Sequence, residues 1–179
     1  CPIRAQVIPQ SAELERAPDE LVDPLGEDAH MPVPGLTHRY PDRALLYTTH
    51  CCPVYCRHCN RRRKVGDSSS MPSQQQIANC IEYLRQHGEV RDVLVSGGDP
   101  LCLSDGRLGE LLRQLRAIPH LEIIRLATRF PVTLPMRVTS ELADSLRAHH
   151  PIYVSTHFNH LRECTTEAAA ALDRLADAG

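Results

Sequence analysis

Three closely spaced cysteines have the clearest chemistry in this sequence. Cys52, Cys56 and Cys59 form a C-x3-C-x2-C pattern inside the segment HCCPVYCRHC, residues 50–59, which we call the Cys loop. Thiolates are soft ligands that favour iron–sulfur clusters or zinc. Three thiolates can hold a four-iron cluster and leave one iron open to another molecule, whereas a structural zinc site normally has four ligands. The spacing therefore predicts a cluster with an open iron.

Two other interpretations of the Cys loop stay open. His50, Cys51 or His58 could complete a zinc site, and the basic run RRRK (residues 61–64) would then be the nucleic-acid-binding face of a non-enzymatic module. The cysteines could also be buried or redox-active thiols that bind no metal. Cys51 as a ligand would break the 3-2 spacing, so we interpret it as a free thiol.

The overall composition argues against several classes of protein. Of the 179 residues, 42% are hydrophobic and 23% are charged, which is typical of a globular domain. The start of the chain has neither the basic segment nor the apolar centre of a signal peptide, and no apolar run approaches the roughly 20 residues that span a bilayer. Eight cysteines without such a signal favour metal or redox chemistry over disulfides. The net charge of -2 argues against a basic nucleic-acid binder, so we expect neither nucleic acid nor a membrane as partner.

A repeated alternation of apolar runs and helical patterns must position the Cys loop. Strands are expected at residues 44–49, 92–95, 121–126 and 152–155, and helices at 73–86, 105–117, 139–149 and 166–178. This alternation predicts an α/β fold with a parallel sheet covered by helices. Four βα units do not close an eight-stranded barrel, so the sheet is open or its remainder is absent. Residues 1–43, with seven prolines, are expected to form an extended arm that could include one short helix.

The residues with chemical potential follow the ends of these strands. The Cys loop follows the first strand and the SGGD turn (residues 96–99) follows the second. Arg129 and His157 follow the third and fourth strands. Because active sites of parallel barrels lie past the carboxyl ends of the strands, we expect these residues to meet there.

Four segments resemble the lysine 2,3-aminomutase family of radical S-adenosylmethionine (radical SAM) enzymes. They are VPGLTHRYPDR (33–43), YCRHCNRRRKVG (55–66), RDVLVSGGDPL (91–101) and STHFNH (155–160), and the resemblance runs over essentially the whole chain. It implies a partial parallel (βα) barrel of the radical-SAM type. Residues 44–179 would be its first four βα units, and residues 1–43 would be a Pro-rich N-terminal arm that contributes to the cofactor site.

The resemblance also implies which residues hold the cluster and S-adenosylmethionine. Cys52, Cys56 and Cys59 would hold a [4Fe–4S] cluster, whose open iron binds S-adenosylmethionine. The residues expected to contact S-adenosylmethionine are His58, Ser96, Gly97, Gly98, Asp99 and His157. Two glycines let backbone approach a ligand closely, and a carboxylate suits the methionine ammonium group. The alternatives are an ordinary Gly-rich turn for SGGD and a strand-end histidine that caps a core polar group for His157.

A second cofactor, pyridoxal 5′-phosphate, is implied in the same way. Arg39, Tyr40 and Arg43 of the arm would contact it, since arginine suits phosphate. Arg61 would bind the α-carboxylate of an amino-acid substrate, and the rest of the basic run would be structural or electrostatic. The family's Schiff-base lysine has no counterpart, because Lys64 alone among the 20 cationic residues is a lysine and it matches no such position. The chain is therefore expected to be a fragment of a longer enzyme.

The implied reaction moves the α-amino group of an amino acid to its β carbon, with L-lysine giving β-lysine. Glutamate or arginine 2,3-aminomutase activity stays open, and so does a relative that modifies a translation factor. Asn60, where lysine enzymes have threonine, bears against lysine as the substrate. We further expect an external electron donor of the flavodoxin or ferredoxin type, a homo-oligomer and a cytoplasmic location.

Overall fold

The sheet of this protein is mainly parallel and has five strands. The computed structural model describes residues 1–15, 17–67 and 71–179. The strands are β1 (Leu36–Tyr40), β2 (Arg43–Thr49), β3 (Asp92–Gly97), β4 (Ile123–Ala127) and β5 (Ile152–Ser155), and they lie side by side in this order. Strands β2 to β5 pair in parallel, whereas β1 pairs antiparallel with β2 at one edge. The predicted α/β fold with a partial, open parallel barrel is confirmed.

A helix follows each parallel strand, as the sequence predicts. Those helices are α2 (Gln74–Gln86), α3 (Asp105–Arg116), α4 (Phe130–Thr133), α5 (Ser140–Arg147) and α6 (Thr166–Asp177), and the one-turn helix α1 (Pro2–Ala5) lies in the arm before the sheet. Short 3-10 helices lie at Ser11–Leu14, Asp28–His30, Pro100–Cys102, Pro135–Arg137 and Leu161–Glu163. Ser73 caps α2 through a reciprocal pair of hydrogen bonds with Gln76, of 3.1 and 2.8 Å. No helix in the described part of the chain is long and apolar enough to cross a membrane.

The hydrophobic core lies between the sheet and helices α2, α3 and α5. Leu46, Val93, Val95 and Ile124 of the strands are completely buried. The leucines along α3 pack against them, and they belong to the same continuous cluster. Most residues of β2 and β3 are buried, which explains why the apolar residues of these strands follow one another directly rather than alternating with polar ones. The rigid core therefore fixes the carboxyl ends of the strands, from which the chemistry-bearing loops extend.

Strand β1 was not predicted from the sequence, which indicated only an extended arm over residues 1–43. Its first residue, Leu36, is completely buried and lies opposite Leu46 of β2. The prolines at positions 34 and 41 flank the strand without interrupting its ladder, which is where prolines are tolerated. The arm thus contributes an edge strand to the sheet.

Candidate functional site

A cavity of about 480 Å³ lies past the carboxyl ends of the parallel strands. The Cys loop, the SGGD turn and the segments that follow β4 and β5 form its walls. Ten predicted site residues line it: Cys52, Cys56, His58, Cys59, Arg61, Ser96, Gly97, Gly98, Asp99 and His157. Arg129, which the strand-end argument also placed here, is part of the same wall. The structure therefore brings together the residues predicted for the cluster, S-adenosylmethionine and the substrate carboxylate.

The three cysteines of the C-x3-C-x2-C pattern differ from their neighbour Cys51. Cys52, Cys56 and Cys59 are half-buried, carry free thiols and line the cavity. Cys51 is exposed and is not part of the cavity wall. Its backbone carbonyl instead accepts a 2.8 Å hydrogen bond from the N–H of Asp99. This arrangement supports Cys52, rather than Cys51, as the first ligand.

The spacing of the thiols bears on the choice between a cluster and a single ion. Four ligands around one zinc ion, each about 2.3 Å away for sulfur, must lie close to one another. In the described part of the chain, the only three metal-ligating groups whose atoms lie within 4.8 Å of one another are His38, His87 and Glu89, outside the cavity. Cys52, Cys56 and Cys59 do not form such a group, so their thiols are not all as close together as the ligands of a single ion, and a four-iron cluster offers them a larger frame.

The electrostatics of the cavity also fit a positively charged metal group. Burial and the nearby Asp99, Cys102, Cys59 and Cys56 raise the pKa of the Cys52 thiol to about 12. Iron offsets this repulsion by binding the thiolate directly. The sulfur of Cys59 already accepts a 3.4 Å hydrogen bond from the backbone N–H of Arg61. The donor set and its surroundings therefore fit a cluster held by three thiolates.

The two glycines of the SGGD turn lie against the start of the Cys loop. Gly97 has a φ of +119°, and a Cβ there would be 2.3 Å from the backbone oxygen of Thr49. A Cβ on Gly98 would be 2.1 Å from the backbone oxygen of Cys51. Sequence reasoning explained these glycines by close approach to a ligand, but the backbone that they approach most closely is the one leading into the Cys loop. Glycine is required here because any side chain would push the two walls of the cavity apart.

Asp99 joins the loops that follow β3 and β4. Its side chain is buried and accepts hydrogen bonds from the N–H of Leu101 at 3.0 Å, the hydroxyl of Thr128 at 3.0 Å and the N–H of Arg129 at 2.8 Å. Burial raises the pKa of Asp99, although these hydrogen bonds act in the opposite direction. The observed partners of the carboxylate are thus protein donors, and its contact with a methionine ammonium group stays a prediction.

The two predicted adenosine-contacting histidines are neighbours on the cavity wall. The rings of His58 and His157 lie 6.0 Å apart in an edge-to-face arrangement. Burial, Arg129 and His58 lower the pKa of His157. His157 is therefore neutral at pH 7 and can both donate and accept a hydrogen bond.

Arg61 is held by a buried carboxylate that sequence reasoning missed. Glu27 accepts hydrogen bonds from Nη2 and Nε of Arg61 at 2.7 and 3.0 Å. The hydroxyl of Tyr47 donates to the other oxygen of Glu27 at 2.6 Å, and burial followed by this bond raises the pKa of Tyr47 to about 12. Burial lowers the pKa of Arg61, but the contact with Glu27 outweighs it and the net shift is upward. Arg61 is therefore a fixed cation on the cavity wall.

The rest of the basic run is paired with acidic residues of the arm. The pairs are Arg62 with Glu20 at 2.9 Å, Arg63 with Asp23 at 3.1 Å and with Asp28, and Lys64 with Asp28 at 2.8 Å. Together with the pair of Arg61 and Glu27, they tie the arm to the segment that follows the Cys loop. Each cation of the run thus has a carboxylate partner within the chain, which removes the main support for a nucleic-acid-binding face.

The residues predicted to contact pyridoxal phosphate lie elsewhere. Arg39, Tyr40 and Arg43 surround the β1–β2 hairpin, where both guanidinium groups lie within 6 Å of the Tyr40 ring, at 5.9 and 5.7 Å. Arg43 begins β2 and the Cys loop follows its end, so about 20 Å of strand separates them. None of the three lines the cavity, although Arg39 donates a 2.6 Å hydrogen bond to the carbonyl of Leu25, which does.

The fold and the three-cysteine site define a class of protein, and sequence comparison agrees with it. Residues 46–175 match the Radical SAM superfamily. The chain therefore belongs to the radical SAM superfamily, whose members use S-adenosylmethionine and a [4Fe–4S] cluster.

Within this superfamily, the chain is similar to proteins named as amino-acid 2,3-aminomutases. Over its whole length the chain is 53% identical to the L-lysine 2,3-aminomutase of Fusobacterium nucleatum and covers 42% of that protein. It is 51% identical to the L-lysine 2,3-aminomutase of Acetoanaerobium sticklandii, with 99% of the chain aligned to 43% of the relative. It is 46% identical to the glutamate 2,3-aminomutase of Clostridioides difficile, with 99% of the chain aligned to 42% of the relative. The predicted resemblance is confirmed, and the chain spans about two fifths of the length of these relatives.

Proposed function

We propose that the protein carrying this chain is a radical SAM aminomutase, an isomerase that moves the α-amino group of an amino acid to the β carbon. The observation that carries the proposal is the single cavity lined by three thiols, the SGGD turn, two histidines and a fixed arginine. Similarity to named aminomutases over the whole chain supports the same reaction.

The chain's own residues divide into groups that bind and groups that position. Cys52, Cys56 and Cys59 would hold the cluster, with His58, His157 and the SGGD turn beside the bound S-adenosylmethionine. When bound, the cluster and S-adenosylmethionine would supply the radical chemistry that removes a hydrogen atom from an unreactive carbon. Arg61 would bind the substrate carboxylate, and Asp99 would hold the loops after β3 and β4 in place around the cavity.

The presence of the cluster is testable by metal analysis. The complete protein, purified without oxygen, is expected to be brown and to contain roughly four iron and four sulfide per chain. Stoichiometric zinc without colour would instead support the zinc-binding alternative. Cys52→Ala is expected to lose the iron, whereas the adjacent Cys51→Ala is expected to keep it. Iron loss from Cys51→Ala alone would contradict the assigned ligand set.

The role of Arg61 is testable without removing its charge. Arg61→Lys keeps a cation but loses the planar fork that matches a carboxylate, so the Michaelis constant for the amino acid should rise while the iron content stays unchanged. A Michaelis constant equal to that of the native protein would show that Arg61 is not the carboxylate-binding residue.

We further propose pyridoxal 5′-phosphate as a cofactor, with its phosphate near Arg39, Tyr40 and Arg43. Lys64 is not available to it, since its ammonium group pairs with Asp28 and lies 4.9 Å from the centre of the Tyr47 ring. The lysine that binds pyridoxal phosphate covalently is therefore expected in another part of the complete protein. Arg43→Gln, compared with Arg91→Gln in the loop before β3, should weaken cofactor binding measured by the absorbance of bound pyridoxal phosphate.

L-Lysine is the substrate we propose, because the relatives named above include lysine enzymes at the higher identities. Glutamate and arginine are the alternatives, and a translation-factor-modifying relative is the third. The complete protein should be incubated with reductant, S-adenosylmethionine, pyridoxal phosphate and each amino acid in turn, and the β-amino acid measured. If no β-amino acid forms from any of the three, the aminomutase proposal is wrong.

The same proposal includes a cellular setting. Cluster reduction requires an external one-electron donor of the flavodoxin or ferredoxin type, and an oxygen-sensitive cluster suits the cytoplasm. A homo-oligomer is expected for the complete protein, and its mass in solution would test this.

A further inference from the structure

Arg129 is in direct contact with a thiol of the proposed cluster site. Its Nη1 lies 3.0 Å from the sulfur of Cys56, within hydrogen-bonding distance. Within residues 1–15, 17–67 and 71–179, no other cationic side chain donates a hydrogen bond to one of the three predicted ligands. The contact joins the loop after β4 to the middle cysteine of the Cys loop, 73 residues earlier in the chain.

The side chain of Arg129 is fixed from several directions. Its Nη2 pairs with Glu163 at 2.9 Å and contacts the side-chain oxygen of Gln6 at 3.2 Å. Its backbone N–H is bonded to Asp99, and only 10% of the side chain is exposed. Gln6 also donates to Glu163 at 2.9 Å, so the three side chains form a closed triangle. Contacts within the protein therefore hold Nη1 of Arg129 beside the sulfur of Cys56.

The other arginine and lysine side chains near the Cys loop bind carboxylates or backbone carbonyls rather than the thiols. The basic run is paired with the acidic arm residues described above. Arg57, which directly follows Cys56, donates to Glu13 at 2.6 Å and to the carbonyl of Ala5 at 2.7 Å. The Nε of Arg129 is buried and has no hydrogen-bond partner among the described residues.

Hydrogen bonds to ligand sulfur set the reduction potential of iron–sulfur clusters. Reduction adds one electron and makes the cluster and its thiolates more negative. A donor from a cation stabilises this reduced form more than the oxidised one. Glu163 offsets part of the positive charge, so the hydrogen bond itself carries most of the effect.

We propose that Arg129 is a positioning and tuning residue that raises the reduction potential of the cluster through its hydrogen bond to Cys56. This inference rests on the proposed cluster site. It concerns the transfer of one electron from a low-potential donor to the cluster, without bond formation or proton transfer at Arg129, whose guanidinium stays protonated.

The test is a reductive titration of the complete protein, loaded with its cluster and without S-adenosylmethionine. Dithionite is the reductant, and the reduced cluster is followed by electron paramagnetic resonance. In Arg129→Met the reduced-to-oxidised ratio at a fixed potential should fall about tenfold, which is about 59 mV for one electron. Arg129→Gln keeps an amide donor and loses the charge, so a smaller fall of about threefold is expected.

Arg57→Gln is the matched control, because it removes a guanidinium beside Cys56 that makes no contact with a thiol among the described residues. Its ratio should stay within about twofold of the native value. If Arg129→Met binds no cluster, the reduced-to-oxidised ratio of Arg129→Gln tests the inference in its place. A loaded Arg129 variant with the native midpoint, or an equal shift in Arg57→Gln, would overturn the inference alone. A native protein without iron and sulfide would overturn the proposed function as well.

Discussion

The buried contact between Glu27 and Arg61 leads to a quantitative prediction for Glu27→Gln. The substitution keeps the shape of the side chain but removes its charge, leaving the guanidinium without a carboxylate. Only 8% of the Glu27 side chain and 24% of the Arg61 side chain are exposed. Removing one partner of a fully buried pair costs about 3–5 kcal/mol. Because Arg61 is partly exposed and glutamine keeps one acceptor oxygen, we expect about 2 kcal/mol, roughly a 30-fold change in the folding equilibrium.

The assay is thermal unfolding of the complete protein under anaerobic conditions, with substrate kinetics measured in parallel. A loss of about 2 kcal/mol should lower the melting temperature by about 2–3 °C in a complete protein of the relatives' length, of which this chain covers 42%. The Michaelis constant for the amino acid should also rise, since Arg61 is no longer fixed on the cavity wall.

Glu20→Gln is the control for this prediction, because it makes the same chemical change in an exposed pair. Glu20 and Arg62 are 38% and 62% exposed, so its cost should be about 0–0.5 kcal/mol. Equal melting temperatures for the two variants would refute the reasoning from burial. A destabilised Glu27→Gln with a native Michaelis constant would show that Glu27 stabilises the arm but does not position Arg61 for substrate.

Two further predictions concern the turn and the arm. Gly98→Ala should prevent cluster loading, because its Cβ would lie 2.1 Å from a backbone oxygen of the Cys loop. The control is Gly106→Ala in α3, which has open space around it and should load the cluster normally. Equal iron contents in the two variants would contradict the steric argument. Hydrogen bonds from Arg63 and Lys64 lower the pKa of Asp28 from 3.8 to about 2, so its contribution to stability is present above about pH 4 and lost as the pH falls toward 2. In cluster-free protein the urea midpoints of native and Asp28→Asn chains should therefore converge on acidification, and a gap that stays constant between pH 5 and pH 3 would contradict the pairing.

Much of the fold could be predicted because parallel strands buried on both faces leave uninterrupted apolar runs. The sequence also contains residues that can cap a helix locally, such as Ser73 and Thr139. In the structure the side chain of each accepts a hydrogen bond from a backbone N–H in the first turn of its helix. Strand β1 was missed because its last residues are exposed and polar, so only Leu36 and Thr37 carry a burial signal. A strand that forms because it pairs with a neighbouring strand, and not because of its own hydrophobic pattern, cannot be predicted from the local sequence.

The candidate site could be predicted as far as the strand ends determine it. Loops that follow neighbouring parallel strands meet at one edge, which brought the Cys loop, the SGGD turn, Arg129 and His157 together. The residues that hold these groups could not be predicted. Glu27 lies 34 positions from Arg61, and Gln6 lies 123 positions from Arg129. The sequence around Glu27 or Gln6 does not distinguish a buried hydrogen-bonding partner from the exposed polar residues that are common in a Pro-rich arm.

The position of β5 at the edge of the sheet has a practical consequence for handling the chain by itself. Within the described residues β5 pairs with β4 alone, so its other side presents backbone donors and acceptors to any extended peptide. The strand IYVS has no charge or proline to discourage such pairing, and Tyr153 is 55% exposed. The isolated chain is therefore expected to associate through this edge strand. Aggregation during its expression would be caused by pairing at this edge and not by a failure of the core to fold.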